Sequence, residues 1–255
     1  MVTRTLGALL LALAACSSKQ PPRVDDAAKA TTSRDATTPV DAGSGGAIPS
    51  GEVAIRIEWK NVPAAMRASP GRTPCNTPRA ASVAPTTTWG IPDVLVVVEG
   101  APASSNEARI TLADCALSPR VAIGTAFVAD SALDRPAKLV LSRRGDTAKL
   151  PALTDGAART IQLSIAGHAV ALPLETGGIY QLATDGKDPE LAWLVAGAAA
   201  ITDASGLATI KNVPPGARAV TAWLPPRAGQ PARQARGTVT VVPNELAELT
   251  LELVP

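Results

Sequence analysis

Residues 52–59 read Glu-Val-Ala-Ile-Arg-Ile-Glu-Trp. Val53, Ile55, Ile57 and Trp59 alternate with Glu52, Ala54, Arg56 and Glu58. A period of two lays one face of a strand on a core and turns the other to water. The same alternation closes the chain: Leu249, Leu251 and Leu253 interleave with Glu248, Thr250 and Glu252 in a strand expected over 246–254. Between them, residues 93–99 (Asp-Val-Leu-Val-Val-Val-Glu) form an unbroken apolar run, which predicts a strand covered on both faces.

Working outward, short apolar runs recur between Pro and Gly. Strands are expected at 109–112, 120–123, 138–141, 161–165, 169–174, 178–183, 191–196, 198–202, 207–211, 217–224 and 236–242. The pair 161–165 and 169–174 reads as a hairpin across Ala166-Gly167-His168, and 178–183 pairs with 191–196. Residues 62–90, rich in Pro, Thr and Arg, read as a long loop. No stretch has a helical period of useful length. With 23 Pro and 20 Gly in 255 residues, the pattern is that of an all-β chain with many turns.

The other end of the chain carries an address. Arg4 precedes the apolar stretch 6–15, which ends in Leu13-Ala14-Ala15-Cys16. A charged start, a short apolar run and small residues before a cysteine are the layout of a bacterial lipoprotein signal. The reading removes residues 1–15 and places lipid on Cys16. The alternatives are a transmembrane anchor and an ordinary cleaved signal. Ten apolar residues are too few to span a bilayer core that needs about 20, and an ordinary signal does not require a cysteine there. Ser17 and Ser18 follow, with no acid behind the cysteine, which favours the outer membrane. Several acyl chains on one cysteine make a stable anchor. Residues 17–50 are Ser, Thr, Pro, Asp, Ala and Gly with few large aliphatics, the composition of a disordered linker reaching about 30–35 Å.

Composition excludes some partners. Net charge is +2 and the arginines are scattered, so nothing favours nucleic acid. The aromatic residues are Trp59, Trp89, Trp193, Trp223, Tyr180 and Phe127. Once Cys16 takes lipid, Cys75 and Cys115 remain. In an oxidising compartment an even pair reads as a disulfide, the alternative being two buried thiols.

Two stretches resemble known families. Thr202-Asp203-Ala204-Ser205-Gly206-Leu207, then Asn212-Val213-Pro214-Pro215-Gly216, then Ala222-Trp223 resemble the carboxypeptidase regulatory-like (transthyretin-like) unit, where T-D-x-x-G and V-P-P-G make turns between strands. Cys115-Ala116-Leu117-Ser118-Pro119-Arg120-Val121 with Gly124-Thr125, and later Gly178-Ile179-Tyr180 through Trp193, resemble the cupredoxin-like domains of plastocyanin-like and methylamine-utilisation-type proteins. Together the resemblances cover about residues 51–255. They imply an all-β fold: a cupredoxin-like Greek-key sandwich over 51–196 and a regulatory-like β-extension over 197–255. The sequence leaves open whether these are separate domains, and strand 52–59 could pair with the C-terminal strands instead.

The second resemblance implies a copper site that this chain does not keep. Counted from Tyr180 to Trp193, Thr184 stands at the cysteine ligand position, Lys187 at the histidine and Glu190 at the methionine. The first histidine would lie near 134–137, where there is none. Copper of this type needs two imidazoles and a thiolate, so no copper and no other cofactor is expected.

The single histidine, His168, reads as an exposed hairpin tip or as a lone metal ligand or proton carrier. Asp185-Gly186-Lys187-Asp188-Pro189-Glu190 reads as an ordinary turn or as a loop for a hard cation. The chain has no G-x-S-x-G, Cys-x-x-Cys or H-E-x-x-H. The expected function is a lipid-anchored, non-catalytic binding or structural module of the cell envelope. Its partners are the membrane, through Cys16, and an envelope protein or carbohydrate. The alternatives are a dedicated carbohydrate-binding module and an electron carrier with an atypical metal site.

Overall fold

The computed structural model describes residues 49–227 and 230–254. The expected signal, Cys16 and nearly all of the expected linker lie outside them. The chain opens with β1 (Gly51–Glu58), a single helical turn α1 (Ala64–Arg67) and β2 (Leu95–Val98). Next come β3 (Glu107–Ala113), β4 (Ala116–Ser118), β5 (Val121–Ile123), β6 (Ala126–Ser131), β7 (Ala137–Asp146), β8 (Ala158–Leu163) and β9 (Val170–Leu172). Then follow β10 (Gly178–Thr184), β11 (Leu191–Val195), β12 (Ala200–Ile201), β13 (Leu207–Val213), β14 (Gly216–Leu224), β15 (Arg233–Val241) and β16 (Leu246–Glu252).

These strands make four sheets, ordered β13-β1-β16, β12-β2-β14-β15, β5-β11-β10-β7-β8 and β4-β3-β6-β9. The first two sheets enclose one core, in which Val53, Ile55 and Ile57 of β1 meet Val96, Val220 and Val239. The last two enclose another, around Ile110, Phe127, Leu139, Leu182 and Leu194. The fold is all-β and built of sandwiches, as the pattern predicts.

The continuous apolar run of β2 now has its reason. Val94, Val96 and Val98 face the first core, while Leu95 turns to a third cluster with Val121, Ile179, Trp193, Val195 and Trp223. That cluster lies between the second and third sheets, so β2, β11 and β14 are covered on both faces. Burying a side chain of this size is worth about 1.5–3 kcal/mol, and the apolar interlayer fastens the two sandwiches together.

The boundaries differ from a division at 196/197. β1 pairs antiparallel with β13 and parallel with β16, in register Val53↔Ile210 and Ile55↔Leu249. β2 lies between β12 and β14. The first sandwich is therefore formed by both ends of the described chain, and the 107–196 sandwich is inserted between β2 and β12. The pairing of strand 52–59 with the C-terminal strands, left open by the sequence, is the arrangement found. A second correction concerns 161–174. β8 pairs with β7 in one sheet and β9 with β6 in another, so the segment around His168 crosses between sheets and is not a hairpin.

The turns behind the regulatory-like resemblance are well fastened. Thr202 is buried, and its hydroxyl donates to Ile91 O at 2.7 Å while accepting from Val94 N at 2.9 Å. The Asp203 carboxylate accepts from Ser205 N at 2.8 Å, Ser205 Oγ at 2.6 Å and Leu207 N at 3.1 Å. Gly206 has φ +82°, and a Cβ there would stand 2.6 Å from Gly90 Cα. Backbone conformation and close approach both require glycine at that position.

The long loop 62–90 joins the two sandwiches. Val62 and Val83 are buried in the first core, while Cys75 is bonded to Cys115 in the β3–β4 turn of the second. Beside the disulfide, the Thr73 and Thr77 hydroxyls each donate to Asp114 O at 3.0 Å. The sequence expectation of a Cys75–Cys115 bridge holds.

Candidate functional site

The positions singled out for a copper ligand set come together at one end of the second sandwich. Thr184 ends β10 opposite Leu139, near the start of β7, and Asp185 N donates to Lys138 O at 3.3 Å. Thr184 N donates to Glu190 O at 3.0 Å, and Glu190 N donates to Thr184 Oγ1 at 2.8 Å, closing the 185–190 turn. A cavity of about 200 Å³ opens there, lined by Pro74, Leu112, Cys115, Leu133, Pro136 and Thr184 among others.

The donor set does not fit copper. Thr184 Oγ1 is committed to a backbone amide. Glu190 Oε1 lies 2.7 Å from Arg79 Nε, and the Arg79 Nη2 also donates to Asp188 O at 2.9 Å. Lys187 is exposed. A protonated amine, a hydroxyl and an arginine-paired carboxylate supply neither the thiolate nor the imidazoles that such copper requires. The same ion pair takes Glu190 away from any hard-cation loop at 185–190. Among the described residues, no three His, Cys, Asp or Glu side chains are grouped to hold a metal.

His168 is exposed beside the Ala166-Gly167 turn and makes no hydrogen bond among the described residues. Trp193, which closes the cupredoxin-like stretch, is buried and donates through Nε1 to Pro226 O at 3.1 Å. Tyr180 is buried as well, its hydroxyl accepting from Glu175 N at 2.9 Å. Both ends of that stretch therefore serve packing.

Three arginines that the sequence reading passed over form a cluster around a cavity of about 40 Å³: Arg79, Arg120 and Arg227. Arg120 donates to Ala81 O at 2.7 Å and Ala80 O at 2.9 Å. Arg227 donates to Ser82 O, and its Nη2 lies 3.0 Å from Asp93 Oδ2. Burial holds the Arg227 pKa below its ordinary value; Asp93 opposes that shift and the nearby Arg120 charge adds to it. Arg120 and Arg227 clamp the 80–82 backbone by donating to its carbonyls in a loop without a ladder.

A larger cavity, about 520 Å³, lies where the far end of β7 meets 154–159 and Tyr180. Arg143 sits at its edge, 2.6 Å from Asp146 and 3.1 Å from Glu175. The β7–β10 register shifts by one residue between the pairs Ile179↔Gly145 and Tyr180↔Arg143, with Arg144 of β7 as the extra residue, and the ladder is interrupted there. A single arginine in an isolated sequence carries no signal of such a network, because one acidic partner, Asp146, ends its own strand and the other, Glu175, comes from a loop 32 residues away.

Comparison with known proteins adds no identity: no family model, curated protein or solved structure matches the chain.

Proposed function

We propose that the chain is a lipoprotein of the bacterial cell envelope, anchored through lipid on Cys16. Its β-sandwich ectodomain is a non-catalytic binding or structural module without a copper site. The observation that carries this reading is the Cys75–Cys115 bond. Of three cysteines in the chain, two are joined, which suits an oxidising compartment. The remaining one is Cys16, at the end of the run that resembles a lipoprotein signal. The two sandwiches share an apolar interlayer, which favours a rigid ectodomain. The absence of acid at Ser17 and Ser18 supports the outer membrane as the site of anchoring.

The test is metabolic labelling with palmitate in cells producing the wild type and Cys16→Ser. Label is expected in the wild type alone, with the variant lost from the membrane fraction. Equal labelling of both would overturn the proposal. The electron-carrier alternative finds no support in the donors at Thr184, Lys187 and Glu190. The carbohydrate-binding alternative is favoured by one particular feature of the loop 62–90.

A further inference from the structure

Trp89 is the exception among the four tryptophans. Trp59, Trp193 and Trp223 are 3%, 2% and 0% exposed, whereas Trp89 is 44% exposed. Its backbone is also unusual, with φ +65°. That region suits Gly or Asn and is unfavourable for a bulky side chain. A strained residue persists where its surroundings over-determine it, and such residues cluster at functional sites.

The surroundings here do over-determine it. Thr86 N donates to Gly90 O at 2.9 Å, Trp89 N to Thr86 O at 3.0 Å, and Trp59 N to Trp89 O at 3.0 Å. Gly90 N donates to Thr86 Oγ1 at 2.9 Å. Arg56 Nη2, on β1, donates to Thr88 O at 3.0 Å and to Thr88 Oγ1 at 2.6 Å. Gly90 itself is jammed against the 203–206 turn: a Cβ there would stand 1.9 Å from Ser205 O. The turn is thus locked from three sides, yet the large apolar side chain it carries stays 44% exposed. Packing covers only part of this residue.

Beside it lies an open cavity of about 400 Å³, lined by Trp89, Pro85, Val83, Thr86, Thr87 and Arg67 among others. The size is that of a small-molecule site. Arg67 and Thr87 are exposed and engage no partner among the described residues. No acidic side chain lines the cavity.

We propose that Trp89 and this cavity form a saccharide-binding site, with a preference for sugars that carry a carboxylate. The aromatic face is electron-rich and meets the C–H face of a pyranose ring. The Thr87 hydroxyl both donates and accepts, matching a sugar hydroxyl. Arg67 supplies only donors, in a fork that fits a carboxylate. A rigid turn holds the ring in place beforehand, so little ordering is left for binding. The inference deepens the reading of the ectodomain as a binding module and rests on that reading, but it does not depend on the lipid anchor.

The experiment is acrylamide quenching of tryptophan fluorescence in the full chain, titrated with trigalacturonate and with neutral maltotriose. Both sugars are expected to shield the accessible tryptophan, the acidic one more tightly. Trp89→Asn keeps a residue that tolerates the turn. It is expected to fold with an undiminished melting temperature and to weaken sugar binding, followed by calorimetry, at least about tenfold. Arg67→Gln is expected to remove the preference for the acidic sugar while leaving maltotriose binding in place. The proposal falls if neither sugar changes the quenching at about 10 mM, roughly tenfold above a dissociation constant of about 1 mM for a shallow site. It also falls if the Asn variant binds as the wild type does, or if vesicles of anionic phospholipid, and not sugars, shield Trp89. None of these failures touches palmitate labelling of Cys16, so the anchor and the sugar site stand or fall separately.

Discussion

Trp193 and Trp223 meet edge to face, their ring centroids 5.1 Å apart and their planes at 90°. One comes from β11 of the inserted sandwich and the other from β14 of the sandwich built by the chain ends. The pair is the centre of the apolar layer that makes one body of two cores. Trp223→Ala is expected to destabilise the protein by about 3–5 kcal/mol, the usual result of emptying a buried aromatic position. Trp193→Phe keeps most of the ring but loses the bond to Pro226 O, and is expected to cost about 1–2 kcal/mol. Urea unfolding followed by circular dichroism measures both. A Trp223→Ala loss below about 1 kcal/mol would mean that the interlayer contributes little.

Thr202 offers a sharper test because its hydroxyl serves two buried backbone groups. Thr202→Val preserves shape and removes the oxygen, leaving Ile91 O and Val94 N without that partner. The expected loss is about 2–4 kcal/mol. Thr202→Ser keeps both bonds and loses one methyl, for about 1 kcal/mol. If Val is tolerated better than Ser, the bonds drawn by Thr202 do not hold β2 to the β12–β13 turn.

The strands that alternate or run unbroken were the most legible part of the sequence. Residues 51–58 and 246–252 announce one buried face each, and 95–98 announces two. What periodicity cannot supply is the partner. Val53 reads the same whether β1 pairs within 51–196 or with β13 and β16, because alternation encodes the face and not the neighbour. The segment 161–174 misled for a related reason: two short strands around a Gly look like a hairpin, and only the sheet order separates them. Ala126–Ser131 went unread as a strand because its inward residues are Phe127, Ala129 and Ser131, of which only one is a large apolar side chain. Thr184 and Glu190 are hydrogen-bonded across one turn, a closeness that their spacing of six residues already suggests. Trp89 carried no signal, since its interest lies in a φ angle and an exposure that sequence does not express.

The disulfide should matter for stability as well as for compartment. Cys75 and Cys115 are 40 residues apart, and closing a loop of that length restricts the unfolded chain. The expected contribution is about 4 kcal/mol. Cys75→Ser/Cys115→Ser is expected to unfold at lower urea, with loop 62–90 becoming the first site of proteolysis. The wild type unfolded with reductant should match the variant. A variant as stable as the oxidised wild type would show that the loop is held without the bond, by Thr73, Thr77 and Arg120.

Acid should act through the Asp203 turn. The Ser205 hydroxyl, then the backbone amides of the turn, hold the Asp203 carboxyl below its ordinary value of 3.8, against a smaller effect of burial. Asp130 is also lowered: burial pushes it up, but hydrogen bonds from Thr111 and Arg109, with the Arg109 charge, push it further down. A depressed carboxyl binds its proton more readily in the unfolded chain than in the folded one. Its stabilisation is therefore complete above the unfolded value, about 3.9, and fades as pH falls through the folded value. Asp203→Asn can keep the turn geometry but has no charge to lose. At pH 7 it is expected to be less stable than the wild type by about 1 kcal/mol, a modest figure because the side chain faces water. As pH falls through the folded value the wild-type carboxyl gains its proton and the difference should shrink toward zero. Urea unfolding of both proteins at pH 7 and at successively lower pH decides it. A gap that stays constant or widens in acid would mean that the charge on Asp203 does not hold the 203–207 turn, and that the geometry of Gly206 against Gly90 holds it alone.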